Sequence, residues 1–281
     1  MENLRLSFSQ VEEYRAQLIR EEHSPQTVQK YLRDIMAFFR CLPPGNSLTK
    51  EAVLDFKEML ARRYKTATGN SMLVAVNGFL TFLGVPQYRV RLFKVQRQTF
   101  RSRDRELTRE EYIRLVQAAR RDGDERLALL LQAICSTGIR VSEHRFITAE
   151  SLGAGSVFIT NKGRSRMVLL PEELRRLLRA YCARRGIRSG PVFVSRTGRP
   201  LDRSNIWAQM KGLCARAGVE PAKVFPHNLR HLFAVTFYRL ERDIVRLADI
   251  LGHASIDTTR IYTFISPEEQ SRALSRLRLL I

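Results

Sequence analysis

Residues 155–171, GSVFITNKGRSRMVLLP, decide the fold class, because the helical spacing of apolar residues stops here. Two runs of β-branched and apolar residues, VFIT and MVLL, flank the basic stretch NKGRSR, which predicts two strands joined by a basic turn. On both sides of this segment, apolar residues recur at the spacing of amphipathic helices. The sequence therefore predicts a mainly α protein with a small antiparallel β-sheet.

The region before residue 92 has the pattern of a small helical domain. Ser24 at an N-cap and Pro25 at the first helical position mark the start of one helix. PPGNS, residues 43–47, then interrupts the helical pattern. Four segments with helical spacing are predicted, at residues 9–22, 24–42, 48–64 and 69–84. We expect them to form one domain over residues 1–92.

The region from residue 106 to residue 281 predicts a larger, mixed α/β domain that contains the two strands. Thr108 and Glu111 form the pattern of a capping box at a helix start. Residues 125–147 predict a long apolar helix that is interrupted at Thr137 and Gly138. At the chain end, SPEE followed by apolar residues on one face predicts a tail helix over about residues 267–281.

The charge of the chain is concentrated in its second part. Lys and Arg number 48 against 28 Asp and Glu, a net charge of +20. Residues 1–90 contain 12 basic and 9 acidic residues, a net of +3, and residues 91–281 contain 36 and 19, a net of +17. Such a charge predicts a polyanionic partner, most simply nucleic acid, although a ribosome-like or membrane-surface protein is an alternative. A basic linker is expected at residues 93–105, either extended on phosphates or as a solvated loop.

Other compositional features exclude several classes of protein. The four cysteines contain no C-x-x-C pair, so neither a zinc site nor a disulfide framework is expected. No apolar run reaches the length of a membrane span, and the N-terminus has no signal-peptide core. We therefore expect a cytoplasmic protein without a membrane segment, a metal or another cofactor.

Four short patches combine residue types that suit chemistry on a phosphodiester. They are TGIRVSE with Arg140, NKGRSR with Lys162, PHNLRH with His227 and Arg230, and LGHASIDTTRIY with His253 and Tyr262. Each patch alone is a weak signal, but the four in this order, with the strand pair around the lysine, are specific. The chain resembles the tyrosine recombinases of the phage-integrase and Xer type over nearly its whole length.

The resemblance implies a catalytic set consisting of Arg140, Lys162, His227, Arg230, His253 and Tyr262, with Glu143 in a supporting position. Two guanidinium groups can each bind the non-bridging oxygens of a phosphate. Tyr262 would be the nucleophile, His227 the base and Lys162 the general acid, while His253 would donate a hydrogen bond to the phosphate. Glu143 could orient a neighbouring group or only cap its own helix. His23, His144 and His231 are interpreted as incidental or packing residues.

The resemblance also implies an architecture and an assembly. We expect a C-shaped clamp on double-stranded DNA, made of a SAM-like core-binding domain and the catalytic domain. A homotetramer joined by the tail helices would act on two DNA sites, with accessory DNA-bending proteins unknown. The expected contacts to the DNA backbone are Arg97, Arg101, Arg103, Arg105, Arg164 and Arg166. Alternatives are a type IB topoisomerase or a catalytically silent DNA-binding regulator on the same fold.

Overall fold

The computed structural model describes residues 4–94, 105–161, 164–262, 271–272 and 275–276. Within these ranges, the side chains of Asn161 and Arg164 are not described. The chain divides into two compact units, an N-terminal unit of residues 1–98 and a C-terminal unit of residues 99–281. Among the described residues, no helix is both long and apolar enough to cross a membrane.

The N-terminal unit contains the helices that the apolar spacing predicts. Ser24 caps its helix as expected, since its hydroxyl accepts a hydrogen bond of 3.3 Å from the amide of Thr27, and Pro25 follows at the first position. A short antiparallel pair of strands, which the sequence analysis did not predict, joins the chain start to the segment after the second helix. The elements are β1 (Leu4–Arg5), α1 (Phe8–Arg20), α2 (Pro25–Phe39), β2 (Ser47–Leu48), α3 (Lys50–Arg63) and α4 (Thr66–Phe82).

Apolar and aromatic side chains fill the interior of this unit. Phe38, Phe56 and Phe79 are fully buried, and the rings of Phe38 and Phe56 meet edge to face at 5.1 Å. Burial of each such ring is worth roughly 1.5–3 kcal/mol of transfer free energy. The hydrophobic core therefore accounts for the stability of the helical arrangement.

Two asparagines of α4 fix the chain that leaves the unit. Asn77 donates to the carbonyl of Val90 at 2.9 Å and accepts from its amide at 3.0 Å. Asn70 makes the same pair of bonds with Phe93, at 3.0 and 2.7 Å. We call each pair of hydrogen bonds an asparagine clamp. The seven residues from Asn70 to Asn77 rise about 10.5 Å along the helix, and the three residues from Val90 to Phe93 cover about 10 Å when extended, so the spacing of the two asparagines matches that of their partners. Val90 is buried while Arg89 and Arg91 are exposed.

The C-terminal unit is also mainly helical. The capping box predicted at its start is present, because Thr108 and Glu111 exchange hydrogen bonds of 2.8 and 3.2 Å. Its helices are α5 (Arg109–Arg121), α6 (Glu125–Thr137), α7 (Ala149–Ala154), α8 (Glu172–Arg185), α9 (Arg203–Ala217), α10 (Pro226–Glu241), α11 (Ile244–Leu251) and α12 (Ile256–Thr259). Short 3-10 helices cover Val141–Phe146, Pro221–Lys223 and Arg260–Tyr262.

The predicted strand pair is present as β3 (Ser156–Asn161) and β4 (Arg164–Leu169), and the pairing is antiparallel. The strands extend further into the basic stretch than predicted, because Asn161 pairs with Arg164 and only two residues lie between them. One face carries buried Val157 and Val168. The mainly α fold with a small antiparallel β-sheet is thus confirmed.

The helix predicted over residues 125–147 is shorter than expected, and the predicted tail helix is only partly described. The long helix predicted over residues 125–147 ends at Gly138, which has a left-handed backbone with φ of 66°, and the rest forms the 3-10 helix Val141–Phe146. The predicted tail helix over residues 267–281 lies mostly outside the described residues. Within it, the amide of Arg276 donates to the carbonyl of Arg272 at 3.2 Å, which corresponds to one helical turn.

Candidate active site

Gly138 places the first arginine of the candidate site. A Cβ atom at this position would lie 2.5 Å from the ring of Phe233, and the φ of 66° disfavours any other residue. After this turn the chain is extended at Arg140, which caps the 3-10 helix Val141–Phe146. Although Arg140 falls within the helix predicted over residues 125–147, it lies at the start of a separate 3-10 helix, where its side chain is part exposed.

Glu143 is buried at the centre of a cluster of charged groups. Its carboxylate accepts from the amide of Arg140 at 2.7 Å and from the Arg140 guanidinium at 2.9 Å. Arg166 of β4 donates to both oxygens, at 2.9 and 2.7 Å. Burial alone would raise the pKa of Glu143, but the hydrogen bonds from Arg166 and Arg140 outweigh it and lower the pKa. The carboxylate is thus ionised and both caps the helix and orients Arg140.

Arg230, on the first turns of α10, is buried beside this cluster. Its guanidinium donates to the carbonyls of Gly138 at 2.6 Å and Leu251 at 2.7 Å, and it lies 3.1 Å from Nε2 of His253. Burial, followed by repulsion from Arg140, lowers the pKa of Arg230 to about 10. Two cationic side chains are therefore brought together from parts of the chain that are far apart in sequence.

His253 lies between Arg230 and Thr259 in a defined tautomer. A guanidinium can only donate, so Nε2 accepts from Arg230 and Nδ1 donates to the hydroxyl of Thr259 at 2.8 Å. Burial and the nearby arginines lower the pKa of His253 to about 4. The imidazole is thus neutral here. Donation from Nε2 to a phosphate, as predicted from the sequence, requires this nitrogen to exchange its arginine contact for a proton.

Tyr262 is buried in this structure, at 4% exposure. Its ring stacks on His253 with centroids 6.1 Å apart and meets the ring of His231 edge to face at 5.1 Å. The surrounding cluster consists of apolar residues of α10 and α11, among them Ala234, Leu247 and Leu251. His231 was interpreted from the sequence as a packing residue outside the site, but its ring lies against that of the candidate nucleophile.

A cavity of about 550 Å³ opens beside the arginines. Arg140, His227 and Arg230 line it together with residues of α9. Those of α9 are Arg203, Ser204, Trp207 and Lys211. The N-terminus of α10, with Pro226 at its first position, also faces this space. Clustered cations and a helix N-terminus favour an anion in the cavity. Tyr262 is not one of the described residues that line the cavity.

The structure brings together most, but not all, of the predicted site. Arg140 contacts Glu143, Arg230 contacts His253, and His227 lines the cavity together with Arg140 and Arg230. Lys162, Arg97, Arg101 and Arg103 lie outside the described residues, as does the side chain of Arg164. Arg105 is exposed. Arg166 was interpreted as a contact to the DNA backbone, and this does not fit, because its side chain is only 13% exposed and is paired with Glu143.

Several residues of this arrangement were not predicted from the sequence. Thr259 fixes the tautomer of His253, and the run of threonines before Tyr262 was the available signal. Trp207 and Lys211 carry no motif, and only the folded chain brings α9 to the cavity. Among the described residues, no three His, Cys, Asp or Glu side chains are grouped closely enough to bind a metal ion.

Comparisons with known proteins bear on this arrangement. Residues 105–269 match the phage integrase family, and residues 11–84 match the phage integrase N-terminal SAM-like domain. The tyrosine recombinase XerA of Pyrococcus furiosus is 30% identical over 281 aligned residues, which cover 96% of this chain and 94% of that protein. The tyrosine recombinase XerD of Xanthomonas axonopodis pv. citri is 34% identical over 49% of this chain and 50% of that protein.

Solved structures show the same fold. A crystal structure of XerA recombinase is 26% identical, with a TM-score of 0.53, and the match covers 97% of this chain and 98% of that one. XerH bound to its difH substrate is 21% identical with a TM-score of 0.69, covering 97% and 85% of the two chains. A lambda integrase dimer bound to a COC′ core site is 17% identical with a TM-score of 0.72, covering 91% and 94%.

Proposed function

The chain belongs to the phage integrase family, and from this premise we propose a mechanism by which it breaks and rejoins DNA. It is a site-specific recombinase of the tyrosine class, and the alternative of a type IB topoisomerase is not favoured. The observation that supports the mechanism best is the shared cavity, which Arg140, His227 and Arg230 line at the N-terminus of α10.

In the proposed reaction, the phenolic oxygen of Tyr262 attacks the phosphorus of a scissile DNA phosphate. A bond forms between them, the bond from phosphorus to the 5′ oxygen breaks, and a 3′-phosphotyrosyl link and a free 5′ hydroxyl result. A 5′ hydroxyl of the partner duplex then reverses these steps through a Holliday junction. The bond energy is conserved, so ATP is not required. The cationic side chains of the site stabilise the developing charge in place of a metal ion.

Each side chain of the site has a role in this proposal. Arg140 and Arg230 neutralise the charge that develops on the non-bridging oxygens. His227, at the rim of the cavity, accepts the proton of Tyr262, whose ordinary pKa of about 10 otherwise disfavours ionisation. Lys162, between β3 and β4, protonates the leaving 5′ oxygen. His253 contacts the phosphate once Arg230 has turned from its imidazole towards the substrate.

The partner in this proposal is double-stranded DNA. XerH was solved with its difH substrate, lambda integrase was solved with DNA, and a lambda integrase tetramer was solved with a Holliday junction. The net charge of +17 in residues 91–281 suits the same partner. We infer a homotetramer on two DNA sites, with residues 1–92 as a core-binding domain and the tail over about residues 267–281 as the link between protomers.

The test is the covalent complex. Tyr262→Phe removes one hydroxyl and is expected to abolish covalent attachment to a nicked suicide substrate on a denaturing gel, while specific binding on a native gel is retained. Tyr238→Phe is the matched control, because Tyr238 packs in the same cluster. A covalent adduct with Tyr262→Phe would contradict the assignment. Loss of wild-type cleavage in EDTA, with recovery in magnesium, would contradict the metal-free mechanism.

A further inference from the structure

Arg166 occupies a position that neither the motif nor the proposed mechanism explains. It lies on β4, paired with Ile159, on the face of the hairpin that carries buried Val157 and Val168. A charged residue on a buried strand face is costly unless its charge is paired and its donors are satisfied. The next pair of the hairpin, Phe158 and Met167, lies on the opposite face and is exposed. If burial of apolar side chains alone set the arrangement, Phe158 and Met167 would be buried and Arg166 would be exposed.

The contacts of Arg166 converge on the candidate site. Its two terminal nitrogens donate to the two oxygens of Glu143, and its Nε donates to the carbonyl of Ile250 at 3.2 Å. Its methylene chain lies against Gly252, where a Cβ atom would come within 2.6 Å of Cδ. The carbonyl of Gly252 in turn accepts from Arg140 at 3.4 Å. The segment before His253 is therefore in contact with both arginines.

Glu143 connects Arg166 with Arg140. One carboxylate oxygen accepts from the guanidinium groups of both arginines, and the other accepts from Arg166 and from the amide of Arg140. A carboxylate that accepts from four donors has little freedom to rotate. Without Arg166, two of the four donors are lost, and Glu143 can follow Arg140 in other orientations.

We propose that Arg166 is a positioning residue that orients Arg140 through Glu143. The proposal rests on the proposed function, in which Arg140 binds the scissile phosphate. Arginine is required here because its planar fork binds both carboxylate oxygens and still directs Nε to the Ile250 carbonyl. Lysine would supply a charge but not this geometry.

The experiment measures covalent cleavage of a suicide DNA substrate by Arg166→Met and Arg166→Lys. Displacement of a group that binds the phosphate by about 1 Å can cost on the order of 100-fold in rate. We expect such a loss for Arg166→Met, a smaller loss for Arg166→Lys, and unchanged single-site DNA binding. Arg145→Met is the control, since Arg145 is exposed and lies on the 3-10 helix that contains Glu143. Unfolding is followed by the emission of Trp207, the single tryptophan.

A double-mutant cycle distinguishes positioning from a merely structural role. A scissile methylphosphonate lacks one negative charge, so it reduces the need for Arg140 and keeps cleavage measurable in Arg140→Ala. We expect Arg166→Met to cause no further loss of cleavage rate in the Arg140→Ala background. We also expect the loss of rate caused by Arg166→Met to be smaller on the methylphosphonate than on the normal phosphate. Independent, multiplying defects would overturn the inference, and so would wild-type cleavage by Arg166→Met or a loss explained by unfolding. If Arg140→Ala cleaves the normal phosphate like wild type, the proposed function of Arg140 fails instead.

Discussion

The N-terminal unit fills its interior with apolar side chains, whereas the C-terminal unit also buries charged and polar ones. Among the described residues, the buried polar side chain of the N-terminal unit is Asp34. Those of the C-terminal unit are Thr137, Glu143, His144, Asn228, Arg230, His231 and Thr259. Buried polar groups need partners to offset their desolvation. The stability of the C-terminal unit therefore depends on ionisation and hydrogen bonding at the candidate site as well as on its apolar core, and that of the N-terminal unit mainly on packing.

Salt is expected to have the largest effect, because the two regions differ most in charge. Binding that neutralises 6–10 phosphates loses about 10³–10⁵ in affinity between 50 and 200 mM salt. Replacing Arg101, Arg103 and Arg105 with Gln should flatten the slope of log affinity against log salt by up to about three units. The slope is measured by titration with a fluorescent duplex at four salt concentrations.

The control for this comparison is a triple substitution of exposed basic residues in the near-neutral region, Arg62, Arg63 and Lys65. We expect it to change the slope less. An equal or larger change would show that DNA contacts are distributed over both units despite the charge difference, and a slope near zero in the wild type would remove the electrostatic interpretation.

A cavity in the apolar core should separate the two units in stability. Phe56→Ala is expected to destabilise the N-terminal unit by about 3–5 kcal/mol, because the fully buried ring leaves a cavity. Denaturant unfolding monitored by Trp207, which lies in the C-terminal unit, should change little, while the loss of helical signal should begin earlier. Coincident shifts by both probes would mean that the units unfold together and that the comparison does not describe independent regions.

Removing one buried charge should affect the C-terminal unit more than the N-terminal unit. Glu143→Gln leaves Arg166 and Arg140 without a counter-charge, and we expect a cost of about 3 kcal/mol. Asp34→Asn is the matched change. It should cost about 1 kcal/mol, since Asp34 pairs with a part-exposed Lys30. The free energy of unfolding from urea titration checks both, and equal costs would contradict the proposed difference between the interiors.

The smallest expected effect is a pH dependence between about 5 and 6.5. The folded pKa of His253 is about 4, below its ordinary value of 6.5, so in this range the unfolded chain binds a proton that the folded chain does not. The free energy of unfolding should therefore decrease as the pH falls. Burial also lowers the pKa of His144, so two histidines contribute. His253→Gln should reduce the slope, and an unchanged slope would assign the whole effect to other groups.

The fold could be predicted from sequence where local patterns determine it. The helix starts at Ser24 and Thr108 depend on residues three positions away or fewer, and both caps are present. The identity of the family followed from the order of the patches around Arg140 and Arg230. The end of α6 at Gly138 was placed correctly as an interruption, but the change to a 3-10 helix was not, because it depends on how Glu143 is held.

The parts of the site that could not be predicted depend on long-range contacts. Arg166 in a basic stretch looks like a surface residue until β4 turns it towards Glu143, 23 residues earlier. The burial of Tyr262 depends on the apolar residues of α10 and α11 that surround it. No pattern in the segment around Tyr262 indicates whether its ring is exposed, because the packing partners lie in other helices.

The two asparagine clamps on α4 determine which sequence changes the segment after this helix can accept. Asn70 and Asn77 bind only the main chain of Phe93 and Val90, so Arg91 and Leu92 between them can be exchanged without loss of a clamp. The addition or removal of a single residue there would move one main-chain group by about 3.3 Å and disengage an asparagine. This stretch is thus tolerant of substitution and intolerant of insertion, and related chains should vary there in composition but not in length.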